Sequence, residues 1–210
     1  MTGTRVTISG HQKAMDTRQQ ILDAAIEVFS QKGYHDTRVD EIVETSGKSK
    51  GAVYFHFKSK QDIFLALIDE FANLLAVGLA EAIQEETGGV ARVNAALISC
   101  LETFSDYRHL AKIFLVQAVG LGEAFEQKRM EIHDRFTMAI QLQLEMAVAE
   151  NDIPPLDTEV AALAWMGSIN ETVIRWVYTG EPDSERILST LRVMLLRSIS
   201  VPEDQIASFT

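Results

Sequence analysis

Apolar residues recur at three- and four-residue spacing along most of the chain, the pattern of helices that bury one face. The longest such segment, Ile63 to Ile83, keeps the spacing for about six turns. Glycine breaks such as Gly88-Gly89 and Gly180 separate the periodic segments. No run alternates apolar and polar residues between hairpin turns. The sequence therefore predicts an all-α chain.

Three segments are expected from the positions of these breaks. Residues 1–15 show no sustained period and are predicted to form a flexible arm. Residues 16–60 are predicted to form a small helical domain, with helices at 17–33, 37–46 and 49–55, the last two capped by Thr37 and Ser49. Residues 61–210 are predicted to form a larger helical domain, with helices at 60–87, 90–106, 108–119, 122–150, 157–179 and 184–199.

The composition favours a cytoplasmic protein that folds without disulfide bonds. Apolar residues make up 47% of the 210 residues, enough to bury a substantial core. Cys100 is the single cysteine, so no internal disulfide is possible and no paired cysteine motif exists. We expect no signal peptide, and we predict no membrane span because Asp69, Glu70 and Asn73 interrupt the longest apolar stretch.

The charge of the chain is distributed unevenly. The formal net charge is -11, which argues against binding to nucleic acid as a whole. Residues 1–60, however, carry nine Lys and Arg against seven Asp and Glu, whereas residues 61–210 carry ten against 23. The first 60 residues are therefore the one candidate DNA-binding region.

Within that region, Thr37 to Phe57 has the parts of a helix-turn-helix: a short helix, a turn at Gly47 and a second short helix. The second helix begins with Lys48, Ser49 and Lys50, where cations and free backbone N–H groups favour phosphates and guanine edges. A basic helix-loop-helix on a solvated surface would satisfy the same pattern, so the motif alone leaves both interpretations open.

The stretch from Thr17 to Phe64 resembles the DNA-binding domain of the TetR family of regulators over its whole length. The matching residues are Arg18, Ile21, Leu22, Ala24, Ala25, Phe29, Gly33, Tyr34, Thr37, Ile42, Gly47, Ser49, Gly51, Tyr54, Phe57, Lys60 and Ile63.

The resemblance implies a role in DNA binding for nine residues. Phosphate contacts are expected from Tyr54, His56 and Lys60, with Thr37 capping the second helix at the DNA surface. Base contacts are expected from Lys48, Lys50, Ala52, Ser49 and Arg38. The chain departs from the common pattern at Lys48, where an aliphatic residue is usual, and at Ala52, where threonine is frequent. The resemblance also implies binding to a double-stranded operator as a homodimer.

The larger domain is expected, by the same resemblance, to dimerise and to enclose a small-molecule effector. Aromatic and polar residues interleave inside its apolar helices, as in ligand cavities. The candidate ligand-binding residues are Phe104, Tyr107, Phe114, Gln117, His133, Trp165, Ile169, Asn170 and Arg175. An ordinary core would contain the same mixture, so this alternative stays open.

The predicted dimer interface lies on the last two helices. Helix 157–179 is apolar nearly all round and must be covered on every side, which a two-fold partner would accomplish. The candidate interface residues are Val173, Val177, Ile187, Leu188, Leu191, Met194 and Leu195. The alternative is a buried central helix in a monomer.

The sequence offers no support for a phosphate-binding loop, a metal site or a catalytic nucleophile. The paired glycines at 120–126 lack the spacing of a phosphate loop, His109 and His133 lack the spacing of a metal pair, and Cys100 has no base nearby in sequence. We predict no enzyme activity, no catalytic residues, no metal and no cofactor. The expected function is a repressor released by a small effector of lipophilic or acyl type; the alternative is a regulator whose C-terminal domain only dimerises or binds a protein.

Overall fold

The computed structural model describes residues 5–209, with side chains from residue 16 onward. Over these residues the protein is helical and contains no strand, which confirms the predicted all-α class. The helices are α1 (Arg5–Asp36), α2 (Val39–Ser46), α3 (Lys50–His56), α4 (Lys60–Gln84), α5 (Gly89–Asp106), α6 (Arg108–Lys112), α7 (Glu123–Ala149), α8 (Thr158–Thr179), α9 (Ser184–Ser198) and α10 (Glu203–Ser208), with a π-helical turn at Ile113–Gln117.

The chain divides into two compact units between Glu70 and Phe71. The predicted domain boundary after residue 60 falls short of this division because the first turns of α4 complete the core of the N-terminal unit. The ring of Phe64 lies 5.0 Å from the ring of Phe29 and 5.0 Å from that of Tyr34, both in α1.

Helix α1 begins earlier than the sequence indicates. The predicted arm 1–15 lies partly outside the described residues, at 1–4, but the backbone is helical from Arg5. Extending an existing helix adds one hydrogen bond per residue without a new nucleus, which explains the longer helix. The break at Gly33 was predicted: this glycine has φ 78° and ψ 177°, outside the helical region.

The core of the C-terminal unit is formed where α5 packs between α7 and α9 and where α7 packs on α8. Helices α5 and α7 approach each other closely at Gly89, the first residue of α5. A Cβ added there would lie 2.5 Å from the Cα of Ala147 in α7. The backbone N–H of Gly89 also donates to the Oδ2 atom of Asp152, so the N-terminus of α5 is fixed against the C-terminus of α7.

Helix α10 was missed by the sequence analysis, although Pro202 followed by Glu203 and Asp204 is a helix-start signal. Its position is fixed through Arg192 of α9, a buried side chain. The Nη1 atom of Arg192 donates to the carbonyl of Phe209 at 3.0 Å and lies 3.4 Å from the Oδ1 atom of Asn94 in α5.

The segment predicted as one helix at 108–119 is instead the short α6 followed by the π-helical turn. The guanidinium of Arg108 lies 4.9 Å from the ring centre of Trp176 and its Nη2 atom donates to the carbonyl of Trp176 at 3.1 Å. This contact attaches α6 to the C-terminal end of α8, and π-helical turns are frequent at functional sites.

Substitution of Gly89 by alanine is expected to lower the stability of the protein by roughly 1–3 kcal/mol, because the added methyl group overlaps the backbone of α7. Thermal unfolding followed by circular dichroism measures the effect. Gly51→Ala is the control, since Gly51 is helical and has open space around its Cβ position. An unchanged melting temperature for Gly89→Ala would contradict the close packing of α5 on α7.

Candidate DNA-binding surface and ligand cavity

The helix-turn-helix is built as the sequence predicts. Gly47 ends α2 with φ 63° and ψ 18°, a left-handed conformation that glycine adopts without steric cost, and its N–H donates to the carbonyl of Glu44. Ile42 and Val53, both fully buried, anchor α2 and α3 to the core. The outer face of α3 is therefore held at a fixed orientation within the N-terminal unit.

The start of α3 confirms the predicted cap. The Oγ atom of Ser49 accepts a hydrogen bond from the backbone N–H of Ala52 at 3.2 Å. Lys48 and Ala52 are half-buried, whereas Ser49 and Lys50 are exposed. The contacts of these residues with bases stay predictions.

Lys50 is engaged with a residue of α2 that the sequence analysis did not single out. Its Nζ atom lies 2.7 Å from the Oδ1 atom of Asp40, and both side chains are more than half exposed. The hydrogen bond from Lys50 holds the pKa of Asp40 below its usual value and, reciprocally, raises the pKa of Lys50. Both groups are therefore charged at neutral pH.

The C-terminal part of α3 presents aromatic and basic groups. Tyr54 is 38% exposed, and Lys58 Nζ donates to its backbone carbonyl at 3.2 Å. His56 is half-buried between the rings of Phe55 and Phe57. Phe55 is 74% exposed and was also missed; an exposed aromatic residue beside the predicted reading residues was the signal.

Two predicted DNA contacts are corrected by their hydrogen bonds. Thr37 is buried and does not cap α2; its hydroxyl donates to the carbonyl of Gly33 at 2.7 Å, and Arg38 is the N-cap residue. The Nζ atom of Lys60 donates to the carbonyls of Tyr34 (2.7 Å), His35 (3.2 Å) and Thr37 (2.9 Å). All three ammonium protons are used inside the protein, so Lys60 supports the end of α1 instead of contacting phosphate.

Arg38 itself keeps an exposed side chain. Its backbone N–H donates to the Oε2 atom of Glu41 at 2.9 Å, and the Oε1 atom of the same carboxylate binds Lys32 of α1. This fixes the N-terminus of α2 and leaves the guanidinium of Arg38 on the surface, where its predicted contact with DNA stays a prediction.

The C-terminal unit encloses a cavity of about 260 Å³ between α4, α5, the π-helical turn, α7 and α8. Six predicted ligand-binding residues line it: Phe104, Phe114, His133, Trp165, Ile169 and Asn170. The rest of the lining is mainly aliphatic, contributed by residues such as Leu79 and Ile83 of α4 and Ile140 of α7.

Three predicted ligand-binding residues do not line this cavity. Tyr107 and Arg175 are exposed, and Gln117 ends the π-helical turn outside the lining. On α8 the reason is the helical repeat: Trp165, Met166, Ile169 and Asn170 share the cavity side, whereas Arg175 lies on the exposed side.

Of the two arginines that line the cavity, Arg129 is paired with a glutamate and Arg135 is exposed. The Nε and Nη2 atoms of Arg129 both donate to the Oε2 atom of Glu126, at 3.2 and 2.8 Å, which offsets the guanidinium charge. Arg135 is exposed at the cavity opening together with Leu142. Burial raises the pKa of the Cys100 thiol to about 12, so this lining residue is a neutral, unreactive thiol at neutral pH.

The predicted dimer interface is largely wrong. Val173, Val177, Ile187, Leu191 and Leu195 are at most 5% exposed in the single chain, because α8 and α9 use these side chains to pack against each other and against α5 and α7. Of the predicted set, Met194 is 55% exposed and Leu188 is half-buried. The opposite side of α8 carries exposed apolar residues instead: Val160, Leu163 and Tyr178.

Two further features concern the metal site and the membrane span, both of which the sequence predicts to be absent. Among the side chains that the structure describes, no group of three or more His, Cys, Asp or Glu residues is placed to hold a metal ion. Helix α4 is long and apolar enough, by length and composition, to cross a bilayer. Its residues Ile63, Phe64, Leu67 and Ile68 are fully buried, as in the core helix of a globular protein, which passes the same test.

Comparison with known proteins places residues 21–67 in the family described as bacterial regulatory proteins, tetR family. The fatty acid metabolism regulator protein of Bacillus subtilis (strain 168) is 27% identical over 159 residues, covering 75% of this chain and 82% of the relative.

Solved structures agree over most of the chain. The transcriptional regulator FadR from Bacillus subtilis, in complex with stearoyl-CoA, superimposes with a TM-score of 0.76 at 23% identity, covering 88% of this chain and 99% of that one. A regulatory protein in the tetR family from Rhodococcus RHA1 gives a TM-score of 0.75 at 26% identity, covering 89% and 98%. Residues 21–67 therefore match the tetR family of bacterial regulatory proteins, and most of the chain shares the fold of a solved member of that family.

Proposed function

We propose that the protein is a homodimeric transcriptional repressor that binds an operator through α2 and α3 and is released when a long acyl chain enters the cavity of its C-terminal unit. The observation that supports the proposal is an apolar cavity within the C-terminal unit of a chain whose N-terminal unit carries a helix-turn-helix. A regulator whose C-terminal unit only dimerised or bound a protein would have no need of such a cavity. We place the protein in the cytoplasm, where its DNA would be.

The size and lining of the cavity favour one slender, flexible ligand. Its volume of about 260 Å³ lies just below the range of roughly 300–1,000 Å³ for small-molecule sites. Aliphatic side chains from α4, α5 and α7 surround it, as an alkyl chain requires. The relative named for fatty acid metabolism, and the stearoyl-CoA bound to the similar structure of FadR, support this choice.

The charges favour an acyl thioester over a free fatty acid. Arg129 is already paired with Glu126, and Arg135, the other arginine that lines the cavity, is exposed, so neither compensates a free carboxylate buried among the apolar lining residues. An uncharged thioester avoids that desolvation cost. Arg135 at the opening is placed to meet the anionic part of such a ligand outside the cavity.

Release of DNA would act through α4, which contributes Phe64 to the core of the N-terminal unit and lines the cavity with Leu79 and Ile83. Two reading helices must be spaced by about 34–36 Å to enter successive major grooves on one side of DNA. A ligand that binds more tightly to a dimer with another spacing favours that state over the DNA-binding state. It lowers the affinity for the operator by an amount set by the difference between its affinities for these two states.

Long-chain acyl-CoA is expected to raise the melting temperature of the protein and to release it from its operator. Each pair of methylene groups removed from the chain is expected to weaken binding about tenfold, because each buried methylene contributes about 0.8 kcal/mol. Thermal shift and fluorescence anisotropy with an operator obtained by selection from genomic fragments provide the measurement. Equal potency of short and long chains would contradict an alkyl-binding cavity.

Two cavity-filling variants test the location of the ligand. Ala139→Trp on α7 and Ala96→Phe on α5 each place an aromatic ring among the lining residues and are expected to keep operator binding while losing the response to acyl-CoA. Ala149→Trp, at the exposed end of α7 outside the lining, is the matched control and should respond as the wild type does.

The DNA contacts are expected to separate into positioning and reading residues. Tyr54→Phe should weaken binding to all sequences similarly, because it removes a phosphate contact, whereas Lys50→Ala should also relax the preference at one or two base positions. Tyr107→Phe, which changes an exposed tyrosine of the other unit, is the control. Identical effects of the Tyr54 and Lys50 variants on every sequence would refute this division.

We propose that the exposed side of α8, with Val160, Leu163 and Tyr178, continues across Met194 of α9 to form the dimer interface. Leu163→Asp should give folded monomers with much reduced operator affinity, because burying an unpaired carboxylate opposes association. Val119→Asp, also at an exposed apolar residue, is the control. Light scattering reports the mass; a dimeric Leu163→Asp protein would rule out this interface.

A further inference from the structure

Asp40 is an acid on the surface proposed to face DNA. It lies in the first turn of α2, and its carboxylate binds the ammonium of Lys50, the first residue of α3, at 2.7 Å. Both side chains are exposed, at 57% and 60%, so the pair is a surface feature and not part of the core.

The neighbouring acid of α2 has a different role. Glu41 binds Lys32 of α1 and the backbone N–H of Arg38, and so holds α2 within the N-terminal unit. The partner of Asp40 is instead Lys50 of α3, the proposed reading helix. Asp40 is therefore not needed to hold α2 on α1, while a carboxylate on this surface is repelled by phosphates.

The pair has the hydrogen-bonding pattern that complements one kind of base pair. In the major groove a G·C pair presents the guanine acceptors N7 and O6 next to the cytosine N4 donor. An ammonium donates to the two guanine atoms and a carboxylate accepts from cytosine N4. An A·T pair presents a donor at adenine N6 and an acceptor at thymine O4, which would place thymine O4 against the carboxylate.

We propose that Asp40 and Lys50 read one G·C base pair in each half-site as a unit, with Lys50 on guanine and Asp40 on cytosine. Asp40 is then a specificity-determining residue with two effects. At the correct site, Asp40 accepts a hydrogen bond from cytosine N4. At other sites Asp40 weakens binding to phosphate, because its negative charge repels phosphate and its ion pair occupies Lys50. The inference rests on the proposed function, because it requires that α3 enter the major groove.

The test is selection of binding sites from a random duplex library with the full-length wild type, Asp40→Ala and Glu44→Ala. The wild type should select one G·C pair in each half-site, and replacing that pair by A·T should weaken binding about tenfold or more. Asp40→Ala should reduce this penalty several-fold, bind a mixed-sequence duplex more tightly and show a steeper salt dependence, by about 0.9 in the logarithmic slope for each phosphate that a released Lys50 neutralises.

Two comparisons separate a reading role from a general loss of charge. Glu44→Ala removes the same charge from an exposed position of the same helix and should leave the selected sequence and the G·C preference unchanged. In the Lys50→Met background, Asp40→Ala should no longer steepen the salt dependence, because no ammonium is released. Asp40→Glu keeps an acceptor and should retain a G·C preference, and each variant's melting temperature shows that it is folded.

The outcomes distinguish the inference from the function on which it rests. A wild-type protein that selects no sequence and binds no duplex would overturn the proposed function itself. A wild type that selects a sequence without the G·C pair, or an Asp40→Ala variant with unchanged base preference and salt dependence, would overturn the reading pair alone.

Discussion

The apolar repeat of α4 is the constraint on which both halves of this protein depend. The same helix completes the N-terminal core with fully buried residues such as Phe64 and Leu67, and contributes Phe71 and Leu75 to the core of the C-terminal unit. Further along, Leu79 and Ile83 leave the core and line the cavity. A single break in this repeat would therefore affect the support of the DNA-binding surface or the wall of the ligand site.

At the N-terminal end of α4, Lys60 has a structural role, although its position in the sequence suggests a contact with DNA. Lys60 donates to three carbonyls at the end of α1 and lies 4.5 Å from the ring centre of Tyr34. Unpaired carbonyls at a helix end require donors, and an ammonium satisfies three at once. With Lys60 engaged internally, the proposed DNA contacts within the described residues come from the exposed groups of α2 and α3.

Local features of the sequence were the most predictable. The turn at Gly47 and the cap at Ser49 follow from backbone conformation and from hydrogen bonds over three residues. Aromatic residues such as Phe104, Phe114 and Trp165 could be placed at the cavity because they lie on the apolar sides of their helices.

Features that depend on distant residues could not be read from the pattern. The hydrogen bond from Lys60 to Tyr34 spans 26 residues, and the pairing of Lys50 with Asp40 joins two helices. The stripe on α9 has the spacing of an interface, yet spacing does not say whether a partner chain or the same chain covers it. Here Leu191 and Leu195 are covered by the chain itself.

If DNA and acyl ligand bind alternative states of one dimer, native mass spectrometry should show the two bound forms as separate species. With operator duplex and long-chain acyl-CoA present together, we expect dimers carrying DNA and dimers carrying ligand, with the doubly loaded complex far below the abundance of independent binding. A ternary complex at the abundance expected for independent sites would show that the two ligands do not exclude each other.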